Sequence, residues 1–537
     1  MSKKKKKTKK KQPTVGLTQK LLMGYLLVMF GVFPVFCTDG YFNIRHDRYY
    51  FFLAVSGLLL TLLGLVWLFG LPEHGSESLA LRTAKAKTAG PWYRRLTSTD
   101  WGMLGFLVCC IGSTALSPYR MDALLGTAGR NNGLLLMAVY VGVYFAVSRF
   151  RKNSPVIWVV FGSVSSFVSL VAVLNFFHLD PLNMLAPLME QDKLRFISTI
   201  GNRNFLSAYL CLTVPLLTVL SVEARLPALR YLSLGAAGLG FAAMMAADSD
   251  SGFLGLGVFV ALYFIRYARE PEQLKRFFRA LTVMLLCGKL LALVPAEHKN
   301  MGSLQQFFVY SPGSLCLLVF LAAETGLMWW LHKKSPKGKF PLSMQLIPAA
   351  VLALAVLTLL GLFVYVNFVD PSAAPDSQWN LLRISDTWGT NRGFIWKKTL
   401  DIFLNFSPRQ MLLGLGPDTF YYAFEPHFEA LSQLGDSSTN AAHNEYLNHL
   451  ITLGVAGLTT WLWVLGTAVL QGIRRLKADP MVAAVLASVV CSAVQATVNI
   501  AQPITTPLFI ILLALCAGCR EPVEIFETPT KPNKKTK

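Results

Sequence analysis

Residues 50–69 read YFFLAVSGLLLTLLGLVWLF, twenty positions without a charged side chain, which is the length of an α-helix that crosses the hydrocarbon core of a bilayer. Similar windows of about 20 apolar residues begin near Leu21, Tyr50, Trp101, Gly133, Val156, Phe205, Tyr231, Gly252, Ala280, Gly313, Gln345, Tyr446, Met481 and Pro503, roughly 14 spans in all. They use roughly 280 positions, so most of the remaining chain must be short connections. The 537 residues are 53% hydrophobic and 15% charged, with a mean hydropathy of +0.47. That balance excludes an ordinary water-soluble enzyme and predicts an all-α polytopic membrane protein.

Fifty Lys and Arg against 29 Asp and Glu give a net charge of +21. In a soluble chain this would point to nucleic acid. Here the basic residues lie between apolar runs, where they set orientation. With the N-terminus in the cytoplasm, about 36 fall inside, about 13 outside, and Lys289 lies within a span. The clusters Lys3 to Lys11, Arg149 with Arg151 and Lys152, Lys333 to Lys339, and Arg474 with Arg475 and Lys477 are then all cytoplasmic. The Lys-rich start reads as a topological anchor touching anionic lipid, and nucleic acid is not expected as a partner. The first apolar run lacks a small-residue cleavage site and is expected to be retained.

The nine cysteines fall in spans or at their edges, so neither disulfides nor zinc are expected. Walker and dinucleotide motifs are absent, and no internal repeat is visible. The expected organisation is a cytoplasmic tail (1–20), eleven spans (21–369), a large extracytoplasmic loop (370–443), three further spans (444–518) and a cytoplasmic tail (519–537).

The loop at 370–443 is far longer than connections usual in compact domains. Within it, Arg392, Trp396, Leu400 and Phe403 share one face of a helix, which predicts an amphipathic segment on the membrane surface with Arg392 beside the headgroups. Gly414-Leu415-Gly416-Pro417-Asp418 follows, a turn by composition and in the alternative a phosphate loop. Residues 440–446 (NAAHNEY) then put His443 at the outer mouth of the next span. A second external loop carries Lys193, Arg195 and Arg203. A histidine that accepts a proton near neutrality, with arginines that grip phosphate oxygens, suits a reaction on a lipid-linked phosphate. The other reading is that His443 caps the helix. Outside the membrane no ATP is at hand, so bond formation there needs a donor activated through its lipid.

Three further sets of residues bear on the chemistry. Glu445 and His449 stand four apart on one helical face, as a simple pair or as metal ligands. Asp248-Ser249-Asp250 is similar to the paired aspartates with which metal-dependent transferases hold a cation and a diphosphate. Lys289 and Glu324 lie inside spans at matching depths, where an ionisable residue is normally paired or functional, and a structural ion pair is the favoured reading. The rival class is a transporter, a lipid-linked oligosaccharide flippase, which many spans would also suit.

His443-Asn444, nine residues, Gly454, two residues and Gly457 resembles the His-Asn motif of the O-antigen ligase and polymerase family of bacterial membrane proteins. Residues 126–133 (GTAGRNNG), 200–210 (IGNRNFLSAYL), 392–396 (RGFIW) and 413–420 (LGLGPDTF) agree in order, so the resemblance covers about 120–470. It implies a membrane glycosyltransferase architecture of the C type. The implied activity needs no metal or other cofactor. It transfers a glycan, with inversion, from an undecaprenyl-diphosphate-linked donor to a glycan, lipid or wall-polymer acceptor at the outer face of the cytoplasmic membrane. By resemblance His443 is the base and Arg392 holds the donor diphosphate. Many ligases carry Ser/Thr-Arg-Gly where this chain has Asp250-Ser251-Gly252, so the matching arginine is missing; Arg130, Arg203 and then Arg195 are the candidates to replace it.

Overall fold

The computed structural model describes residues 16–70, 92–150, 154–193, 195–295, 301–334, 339–370, 382–476 and 479–518. The clusters at Lys3 to Lys11, Arg151 with Lys152 and Lys477, most of 72–100 and the C-terminal tail lie outside the described residues. A helix stands at each position where the sequence places a span. Among the described residues ten are long and apolar enough to cross a membrane, and Leu134–Val147, Ser251–Tyr267 and Thr506–Ala517 are shorter apolar helices. The helix Pro271–Lys289 opens with Glu272, Lys275, Arg276 and Arg279 and becomes apolar only in its second half. The protein is therefore an all-α polytopic membrane protein.

Proline fixes φ and needs no amide partner in the first turn of a helix, and Pro155, Pro227, Pro271 and Pro480 each open one. At the centre lies Arg203–Glu223, with 89% of its apolar window buried. It packs against Pro227–Ala247, Ser251–Tyr267, Pro271–Lys289 and Pro480–Gln495. At the other extreme, none of the Ser343–Val369 window is buried, which leaves its side chains to face lipid.

Two features bring distant chain to one end of this bundle. A short hairpin, β1 (Phe196–Ile197) with β2 (Gly201–Asn202), pairs antiparallel and delivers Arg203 to the start of the central helix. It is held by Arg48, fully buried, which donates to the carbonyls of Phe36, Pro34 and Thr199. The second feature is the long connection, which folds as a cap. Phe394, Ile395, Phe420, Phe424 and Leu431 form its own small core, closed by Ala442 and Ile451 at the junction with Glu445–Arg475.

Candidate active site

The geometry starts from the helix Glu445–Arg475. Asn444 caps it, its Oδ1 accepting from the Tyr446 and Leu447 amides at 3.0 and 3.1 Å. The capping reading of His443 is therefore answered: the neighbouring asparagine does that work. His443 itself stands just outside the helix in the left-handed region, φ +49°, unusual for a residue with a Cβ. The backbone before it is fixed by the Trp396 indole, which donates to the Ala442 carbonyl at 2.9 Å, and by Asn448 Oδ1, which accepts from the Ala442 amide at 3.4 Å.

The glycine of the motif has a physical role. At Gly454 the helix breaks (φ +66°, ψ −171°), and a Cβ there would lie 2.3 Å from the Leu412 carbonyl carbon. The break frees the carbonyls of Ile451 and Thr452. They accept from the amides of Leu415 and Gly416 at 3.1 and 2.9 Å, and Ser113 Oγ also donates to Thr452. The 413–420 segment and the His-Asn motif are thus one unit. Because these two amides are spent on the helix, the Gly-rich turn offers neither of them to a phosphate.

Arg130 and Asp418 form a buried pair, Nε to Oδ1 at 2.8 Å, with exposures of 1% and 0%. Asp418 Oδ2 also accepts from Thr127 N, Thr127 Oγ1 and Asn132 N at 2.8, 3.0 and 3.1 Å, and Arg130 Nη1 donates to the Asn440 carbonyl at 2.9 Å. The arginine of GTAGRNNG is thereby tied to the chain three residues before His443. Arg392 is placed differently. Three consecutive left-handed residues, Gly389, Thr390 and Asn391, turn the chain before it, and Asn391 anchors the turn by donating to Asp436 Oδ2 at 2.7 Å. Gly393 follows because a Cβ would meet the Ser385 carbonyl at 1.8 Å. The Arg392 guanidinium is largely enclosed, near Asp250, and has no hydrogen-bond partner among the described residues.

Burial, with the Arg392 and Arg130 charges, pushes the His443 imidazole down from 6.5 to about 4, while Asp436 pulls the other way. Neither ring nitrogen has a hydrogen-bond partner among the described residues, and the ring is neutral at pH 7. Arg203 Nη1 lies 3.4 Å from Asp248 Oδ2, and the Gly302 amide donates to Asp248 Oδ1 at 2.7 Å. Asp248 is thus engaged with an arginine and an amide, and Asp250 sits beside Arg392. Arg195 stays exposed beyond the hairpin, contributing its carbonyl to the Arg203 amide at 3.2 Å. His443, Arg392, Arg130 and Arg203 therefore share one end of the bundle, whereas among the described residues the Arg195 side chain makes no hydrogen bond or ion pair with them.

Two sequence expectations change. The Arg392 helix does not lie with Trp396, Leu400 and Phe403 as one buried face: Phe394, Ile395 and Thr399 are buried, Leu400 is exposed, and Arg392 turns inward to His443 instead of to headgroups. The cap core, absent from a helical-wheel reading, outcompetes the membrane surface for those side chains. Lys289 does not pair with Glu324; its Nζ donates to the carbonyls of Val309 and Ser311 at 3.1 and 2.7 Å. Matching depth on two helices does not make two side chains point at each other. Glu445 and His449 do form the simple pair, Oε1 to Nε2 at 3.4 Å, and Glu445 Oε2 accepts from the Ala501 amide. No cluster of three or more His, Cys, Asp or Glu placed to hold a metal occurs among the described residues. Asp418 and Asp436 were missed as site residues; the Pro417-Asp418 turn was the only signal for the first, and nothing in the sequence marks the second.

Residues 307–462 match the family model described as O-antigen ligase. The match includes Arg392, Asp418 and His443 and begins after the segments that carry Arg130 and Arg203. No curated protein matches the chain. Residues 307–462 of this multi-pass membrane protein are therefore similar to the O-antigen ligase family that the His-Asn motif also resembles.

Proposed function

We propose that the protein transfers a glycan from an undecaprenyl-diphosphate-linked donor to a hydroxyl of a saccharide, lipid or wall-polymer acceptor, at the outer face of the bacterial cytoplasmic membrane with both termini inside. The observation that carries this reading is that His443, held neutral, lies near the partly buried Arg392 at the mouth of a membrane helix, neither side chain having a hydrogen-bond partner among the described residues. The acceptor oxygen attacks the anomeric carbon from the face opposite the diphosphate, forming one C–O bond as the bond to the diphosphate oxygen breaks, and the configuration inverts. The hydroxyl proton passes to a ring nitrogen of His443. Arg392 and Arg203 meet the charge that grows on the leaving diphosphate. Arg130, closed in by Asp418, holds the chain ahead of His443 in place. Arg195 is the outlying cation of this set.

The free site keeps His443 a weak base, chiefly through its burial and then through the two arginines near it. A diphosphate beside Arg392 offsets those charges, which raises the imidazole toward neutrality when the donor is bound. Base strength would thus be tied to the presence of substrate. Glu445 and His449 border a small cavity of about 90 Å³ whose other walls, among them Phe106, Met137, Tyr140, Trp461 and Phe509, are apolar and would suit an isoprene unit of the donor.

The test is mass spectrometry of products from purified wild-type and His443→Ala protein, each given a short undecaprenyl-diphosphate glycan and a panel of acceptors. Transfer by the wild type alone supports the reading, and the product names the acceptor. Movement of the glycan across vesicles without a new glycosidic bond supports the flippase instead, and loss of transfer with a chelator supports a metal held by Asp248 and Asp250. A reporter fused after Asp370 is expected outside; a cytoplasmic signal would overturn the orientation.

A further inference from the structure

The central helix Arg203–Glu223 carries the chain about 30 Å away from the site, to the turn at 224–226. Arg230 folds back over that turn, donating from Nε and Nη2 to the Ala224 carbonyl at 3.0 and 2.8 Å. From the neighbouring helix Pro271–Lys289, Arg276 Nη1 donates to the Val222 carbonyl at 3.0 Å. Arg279 lies one turn further along, its guanidinium 5.2 Å from the centre of the Tyr231 ring, and the Arg276 and Arg279 charges both bear on Arg230. Three arginines from two packed helices therefore converge on one spot.

The acids nearby are already engaged. Glu272 takes Lys275 and Arg276 at 2.5 and 2.8 Å, and Glu223 takes Arg266 and the Tyr267 hydroxyl at 2.8 and 3.2 Å. Among the described residues Arg279 is left without an acid, and its Nε and Nη2 are shut off from solvent with no hydrogen-bond partner. A fixed cation with enclosed, unsatisfied N–H groups beside two like charges is unfavourable unless an anion completes it. Around the arginines the surface is apolar: Leu226, Tyr231 and Leu232 are 52%, 57% and 72% exposed. An exposed tyrosine among aliphatic side chains at the end of a membrane helix is the pattern of the lipid–water boundary.

We propose that Arg230, Arg276 and Arg279, with Tyr231, form a binding site for the phosphate of an anionic phospholipid headgroup, seated between the helices Pro227–Ala247 and Pro271–Lys289. The guanidinium edges supply donors for phosphate oxygens, and the apolar flank takes the first carbons of the acyl chains. A soluble phosphate would use the donors and leave the flank bare, which is why a lipid is the occupant assigned. The site lies a full helix length from His443, so it is separate from the transfer chemistry.

The full chain is placed in nanodiscs of phosphatidylcholine alone or with phosphatidylglycerol, and unfolding is followed by tryptophan fluorescence. Phosphatidylglycerol is expected to raise the wild-type midpoint, and Arg279→Gln is expected to lose that rise. In phosphatidylcholine Arg279→Gln should melt no lower than wild type, because it removes an uncompensated cation; a purely structural arginine would lower the midpoint in both lipids and overturn the proposal. Arg225→Gln, an exposed cation of the same turn, should keep the rise. If Arg279→Gln does not assemble, Arg279→Lys takes its place and should show a reduced rise, since it keeps the charge and loses the fork. An equal rise in wild type and the Arg279 variant removes the site. Inorganic phosphate added to phosphatidylcholine discs should do little; a rise matching that of phosphatidylglycerol would overturn the lipid assignment in favour of a soluble anion.

Discussion

Two arginines bear on the same histidine, and the protein treats them in opposite ways. Arg130 is closed on all sides: Asp418 takes its Nε, the Asn440 carbonyl takes Nη1, and 1% of its side chain is exposed. Arg392 is partly buried and has no hydrogen-bond partner among the described residues. A charge that is compensated within the fold stabilises the fold; one left uncompensated is available to a ligand. The comparison separates a cation that holds the site from a cation that awaits an anion, although both lower the proton affinity of His443.

The largest expected effect comes from the group the two arginines surround. His443→Ala should lower kcat by about 10²- to 10⁴-fold, the range for a general base, with the thermal midpoint nearly unchanged. Arg392→Ala should lower kcat about 100-fold or more, as removal of a charge-stabilising donor does, and leave stability unchanged or slightly raised. The reverse pattern, a large drop in melting temperature, would erase the distinction. Asp418→Asn and Arg130→Ala should instead destabilise by about 3–5 kcal/mol, because each leaves a buried charge alone, and this is read as a fall in the thermal midpoint before any kinetic effect.

Titration sharpens the contrast further. In the free protein His443 is depressed to about 4, so the acid limb of kcat/KM should lie well below pH 6.5. With donor bound the diphosphate raises the imidazole, and the acid limb of kcat should move to higher pH. Superimposed limbs would mean that the donor does not bind beside the arginines. The same depression has a sign for stability: a histidine that is harder to protonate when folded contributes fully above about pH 6.5, and that contribution is lost as pH falls toward 4. The smallest effect is expected for Arg195→Ala, whose exposed side chain should leave kcat and stability within error.

The spans were legible because twenty apolar residues have few other uses, and among the described residues ten helices are long and apolar enough to cross a membrane. Which of them would be central was not legible. Arg203–Glu223 and Ser343–Val369 have similar hydropathies, 2.0 and 2.6, yet 89% of one window and none of the other is buried. Lipid and protein interior are both apolar, so hydropathy cannot tell them apart. The same blindness produced the Lys289–Glu324 pair, since sequence gives depth along a helix but not the direction a side chain points. At the candidate site, short motifs drew attention to His443 and Arg392, which the fold brings near each other. The Arg130–Asp418 clasp was not, because its members are far apart in sequence and meet only when the cap docks on the helix Glu445–Arg475.

The bond between the 413–420 turn and the kink at Gly454 has a consequence for how the chain is made. The amides of Leu415 and Gly416 leave the ribosome before the Ile451 and Thr452 carbonyls they serve. The cap therefore cannot finish folding when only its own residues have been made; it waits for the helix Glu445–Arg475. Assembly of the candidate site is thereby timed to the arrival of that helix, and a chain stalled before residue 450 would have its histidine made but not yet set.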